Sequence, residues 1–175
     1  MKRTAFALLL VLGTLIAVAQ QDKSKRPSPP GTAQFTFSDG KKITIDYGRP
    51  FKKGRRIYGG LVPYGKVWRT GANEATSFVT EKDIDVEGTR VPAGSYTLYT
   101  LPSEGTWKLI INKQTGQWGT EYDQAQDLAR IDMKKEALPQ PVEQFTISFE
   151  PSSGNSTTLR LDWENTHLSV PIKQQ

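Results

Sequence analysis

The chain has 175 residues, a formal charge of +5 and no cysteine. Without cysteine, disulfides and thiolate metal sites are excluded, so stability has to come from burial. The positive excess is small and scattered, and no basic helix interleaved with aromatics accompanies it, so nucleic acid is not an expected partner.

Residues 1–19 read as an export signal. Lys2 and Arg3 give a positive start, residues 5–18 are almost wholly apolar, and Ala17-Val18-Ala19 has the small-x-small cleavage pattern. The apolar run is shorter than the ~20 residues that cross a bilayer, which argues against its competing reading as an uncleaved anchor. No cysteine follows to take a lipid, so no membrane span is expected once the signal is cleaved. The expected destination is the periplasm or the exterior. Residues 20–31 are rich in Lys, Ser and Pro and read as an exposed spacer. The folded domain is expected over residues 32–173, long enough for one real core.

From Ala33 onward the hydrophobic period is two. Ala33, Phe35 and Phe37 alternate with polar neighbours, Asp39-Gly40 signals a hairpin, and Ile43, Ile45 and Tyr47 alternate on the return. Further strands are expected at 77–79, 84–86, 96–101 and 107–111, then at 129–133, 142–149, 157–163 and 167–172. Glu87-Gly88, Pro92-Ala93-Gly94 and Ser103-Glu104-Gly105 punctuate them. Residues 120–128 carry a plausible cap and good helix formers, and form either one turn or one short helix. The pattern predicts an all-β fold: a single antiparallel β-sandwich, or a barrel-like variant, of about eight to ten short strands.

Two stretches break the period. Residues 48–71 hold six Gly, two Pro and several aromatics, a loop long enough to be functional or internally packed. Immediately overlapping it is Trp68-Arg69-Thr70-Gly71-Ala72-Asn73-Glu74-Ala75-Thr76, with neither strand nor helix spacing. So many polar groups side by side must satisfy one another or face a ligand.

This nonapeptide, with Tyr47-Gly48-Arg49-Pro50, Leu61-Val62-Pro63-Tyr64-Gly65 and Pro92-Ala93-Gly94-Ser95-Tyr96, resembles a family of secreted bacterial domains of unknown function. The resemblance spans the mature domain down to Leu161-Asp162-Trp163-Glu164. It implies export and a bacterial source, and assigns no catalytic residue.

Arg49, Arg55, Trp68, Arg69, Asn73 and Glu74 form the candidate site, with Arg56 as a further guanidinium beside them. Their guanidinium forks and amide could hold a carboxylate, phosphate or uronic acid, making a glycan or small organic anion the expected partner. The competing reading is structural: Arg69 or Arg49 pairs with Glu74, and Asn73 bonds loop carbonyls. Trp68, Tyr58, Tyr64 and Trp118 could stack on a sugar or plug the loop onto the core, with Trp118 expected to be the exposed one. A saccharide hydrolase would need Glu74 with a second acid, for which Asp46 is the candidate; Asp83 and Asp85 alternate on a solvated strand face. The lone His167 lies in an expected strand, and neither a nucleophile elbow nor a zinc, calcium or phosphate motif is present. No metal or cofactor is expected. The function that fits is a cell-envelope binding or interaction module, with the hydrolase and a purely structural domain as alternatives.

Overall fold

Alternating apolar residues become antiparallel ladders once each strand can bury one face, and the computed structural model, which describes residues 22–175, places nine of them. They are β1 (Pro30–Thr36), β2 (Lys42–Gly48), β3 (Thr76–Thr80), β4 (Ile84–Val86) and β5 (Thr89–Val91), followed by β6 (Gly94–Leu101), β7 (Trp107–Asn112), β8 (Asp127–Ser153) and β9 (Ser156–Gln174). The expected export signal lies outside the described residues. Among those residues no helix is long and apolar enough to cross a membrane.

Hydrogen bonds join the strands in one order, β1-β2-β3-β6-β7-β8-β9-β4-β5, with β1 and β5 at the edges. The two layers are thus opposite ends of one continuous sheet. Phe35 of β1 meets Phe149 of β8 at 6.2 Å between ring centroids, and Tyr47 of β2 meets Phe145 of β8 edge-on at 5.7 Å. The Tyr47 hydroxyl accepts from the Ile147 N–H at 2.8 Å and donates to its carbonyl at 3.3 Å. Ile43, Ile45, Leu98, Leu109, Phe145 and Leu159 lie fully buried between the layers.

Four expected strands merge into two. Residues 129–133 and 142–149 belong to β8, whose first part pairs with β7 and whose remainder pairs with β9. Pro139 and Pro141 bring no N–H to the ladder, so its register jumps from Ala137 to Val142 while the chain stays extended. Opposite that jump, β9 carries Glu164 at φ 53° and joins the expected strands 157–163 and 167–172. The expected strand 84–86 is β4, and the unexpected β5 pairs with it across Glu87-Gly88, its three residues too few to show a period. The helical candidate is a single 3-10 turn, Gln124–Gln126, capped by the Asp123 carboxylate at 2.9 Å from the Ala125 N–H.

The loop at 48–71 plugs the sheet. Ile57, Tyr58 and Val62 are buried, and Tyr58 meets Trp107 edge-on at 4.8 Å. Its start is stitched to β8 by Lys52 N–H to Glu143 O at 2.7 Å and Phe145 N–H to Pro50 O at 2.9 Å.

Candidate functional site

The polar nonapeptide is a tight turn between two anchored ends. Trp68 exchanges both backbone hydrogen bonds with Thr100 in β6, at 2.8 and 2.9 Å, and Thr76 opens β3. Between them Thr70 has φ 52° and Asn73 φ 67°, a left-handed backbone that is costly for a β-branched residue. The buried Thr76 hydroxyl lies 3.0 and 2.9 Å from the carbonyls of Arg69 and Thr70, which holds the turn in that shape. Close backbone approach completes the clamp. A Cβ on Gly48 would stand 2.1 Å from the Ala72 oxygen, and one on Gly119 would stand 2.7 Å from the Asn73 oxygen. Gly119 N–H donates to that same Asn73 oxygen at 3.1 Å, and Ala75 N–H donates to Gln117 O at 3.2 Å.

On one face of the turn, Asn73 and Glu74 point toward residues expected to be an exposed spacer. Arg26 Nη1 lies 2.9 Å from both Glu74 carboxylate oxygens, and Lys23 Nζ lies 3.0 Å from Oε1. Asn73 Nδ2 donates to the Ser28 carbonyl at 3.0 Å. A cavity of about 230 Å³ is lined jointly by Lys23, Arg26 and Ser28 of this N-terminal segment and by Asp46, Gly48 and Ala75 beside Asn73 and Glu74. The Arg26 hydrogen bonds, aided by Lys23, hold the Glu74 pKa down at about 2. The carboxylate is therefore ionised at neutral pH, with its oxygens engaged by Arg26 and Lys23. Asp46 lines the same cavity and accepts from the Thr32 hydroxyl at 2.5 Å.

On the other face, Arg55, Leu61, Trp68, Arg69 and Trp163 line a cavity of about 280 Å³. Trp68 stacks on Trp163, with 5.8 Å between centroids and 18° between planes, and meets Phe145 at 5.0 Å. Arg69 is half-buried, and burial lowers its pKa. Among the described residues it has no carboxylate partner; its Nε reaches only the Gly71 carbonyl, at 3.4 Å. Arg55 is exposed at the rim, its Nε and Nη2 donating to Lys52 O at 3.0 Å and Phe51 O at 2.5 Å.

The six candidate residues therefore divide. Asn73 and Glu74 serve one cavity, Arg55, Trp68 and Arg69 serve the other, and Arg49 lines neither. Arg49 lies beneath Gly31, donates to Thr146 Oγ1 at 3.3 Å, and leaves a buried Nε without a partner among the described residues. The pairing of Glu74 with Arg69 or Arg49 is not formed. Its partners, Lys23 and Arg26, are far away in sequence, and the signal that could have found them is a basic run facing a lone signature acid. Of the aromatics, Tyr58 is buried while Trp118 is 48% exposed, the division expected. Asp83 is occupied by Arg90 at 2.7 Å and the Ala93 N–H at 2.9 Å. His167 Nδ1 lies 2.5 Å from Asp162. Among the described residues no group of three His, Asp or Glu side chains is placed to hold a metal ion.

Fold and site together define an all-β protein in which one clamped polar turn carries a cavity on each face. The chain belongs to the family described as Protein of unknown function (DUF2911), which matches residues 28–172. The match begins at Ser28, the residue whose carbonyl Asn73 holds. No curated protein and no solved structure matches the chain.

Proposed function

We propose that this is an exported binding module of the cell envelope, whose Arg69 cavity takes a small organic anion or an acidic sugar. The observation that carries this reading is a half-buried guanidinium with no carboxylate partner among the described residues, at the edge of an aromatic-walled cavity. A cation removed from water is costly unless an anion compensates it, so the site favours a ligand carboxylate. Arg55 supplies a second fork at the rim, and the Trp68 ring suits the apolar face of a sugar or an aromatic acid. Asn73 and Glu74 do not line this cavity, and their polar groups are taken by Ser28, Arg26 and Lys23.

The test is a thermal-shift titration with glucuronate, galacturonate and benzoate, repeated on Arg69→Met, which keeps an unbranched stem over Gly119. A saturable rise in Tm in the parent that the variant loses supports the reading. No response to any of the three, or an equal response in both proteins, overturns it. Export is tested separately by mass spectrometry of protein made with its own leader: a mature start at Gln20 is expected, and a retained Met1 would refute it.

A further inference from the structure

The cavity on the opposite face is built differently: it faces a segment of the same chain that it does not close upon. Residues 22–29 contain no buried side chain, and Asp22 to Lys25 are exposed throughout. They are held by Lys23 and Arg26 on Glu74, by Asn73 on the Ser28 carbonyl, and by Arg49 N–H on Pro29 O at 2.8 Å. One amide gripping a peptide carbonyl and one carboxylate gripping a guanidinium two residues earlier are the contacts with which proteins read extended peptides. Pro27, Pro29 and Pro30 suit that role because they stiffen the segment before it docks. The fit is nevertheless incomplete, with about 230 Å³ left open beneath the segment. Asp46, on the wall of that space, has the Thr32 hydroxyl as partner and no cation among the described residues.

We infer that the Asp46–Asn73–Glu74 cleft is a binding site for an extended basic peptide, and that residues 22–29 are its resident, exchangeable occupant. Ion pairs rather than apolar anchors secure the occupant, so salt loosens it. The tether favours the resident segment, because a short linker gives an effective concentration on the order of millimolar. A peptide from elsewhere therefore binds in proportion to the fraction of molecules whose segment is released. Ser28 borders this cleft and the Arg69 cavity alike, so the two readings are told apart by their probes: a basic peptide here, small organic anions there.

The test uses a fluorescent synthetic peptide spanning residues 22–30 and the full chain, with anisotropy as the readout. The doubly substituted K23A/R26A chain, altered only at exposed or half-buried side chains outside the strands, should bind the peptide on the order of tenfold more tightly than the parent does. Raised salt should weaken that binding, and adding Glu74→Gln should abolish it while the melting curve shows a folded protein. A peptide with both basic positions changed to alanine should not bind. In the parent, trypsin should cut after Lys23 and Lys25 slowly, and faster in folded Glu74→Gln. Absence of binding to K23A/R26A, equal binding to the parent, indifference to Glu74→Gln or unchanged trypsin cleavage would each overturn the inference.

Discussion

Replacing Glu74 by Gln keeps the shape of the side chain and removes the charge shared by Arg26 and Lys23. The Glu74 pKa falls from an ordinary 4.5 to about 2 in the folded chain, chiefly through the Arg26 hydrogen bonds. If fully shielded, a shift that large would correspond to about 3 kcal/mol. The Glu74 side chain is 46% exposed, however, so water and salt screen the pairs and about 1 kcal/mol is the expected share. The sign follows from the direction of the shift. A depressed carboxyl contributes its stability above pH 4.5, and that contribution drains away as pH falls from 4.5 toward 2. Urea unfolding at neutral pH should therefore place the Glu74→Gln midpoint about 0.5 M below the parent. The gap should narrow steadily below pH 4.5 and shrink in high salt at neutral pH. A gap that stays constant across this range, or no gap at neutral pH, would refute the reasoning, because then the ion pairs do not secure the segment.

The remaining predictions concern packing. Gly48→Ala would put a methyl group 2.1 Å from the Ala72 oxygen, and the atoms it meets are Ala72 backbone rather than the end of a flexible side chain. A loss of about 3 kcal/mol is expected, a fall in Tm of roughly 6–12 °C by calorimetry; an unchanged Tm would contradict the clamped turn. Trp163→Ala removes a ring stacked on Trp68 and packed against Phe145 and Tyr58, at 1% exposure, and should cost about 3–5 kcal/mol in denaturant unfolding. Trp118→Ala, at 48% exposure, should stay within about 0.5 kcal/mol of the parent in the same measurement. Equal losses in the two variants would mean that the aromatic plug is misassigned.

Much of the architecture was legible because a half-buried strand writes its burial into a period of two. Phe35, Ile43, Ile45 and Phe78 occupy the faces that the alternation assigns to them. The margin of the site was legible for the opposite reason: residues 68–76 carry no period, and all but the last, Thr76, lie in the turn before β3 rather than in its ladder. The continuity of β8 was hidden, because prolines at 139 and 141 erase the ladder pattern without ending the extended chain.

By itself the sequence determined the class of fold, the absence of disulfides and the location of the unusual turn, since composition and local periodicity decide each of these. Only the tertiary structure decided which charges meet. Glu74 lies 48 residues from Arg26 along the chain, and chain folding brought them together while leaving the nearby Arg69 without a carboxylate among the described residues. Charge pairing is nearly indifferent to spacing along the chain, whereas burial imposes a period. Local pattern therefore marks where the polar turn lies but not what each of its side chains faces.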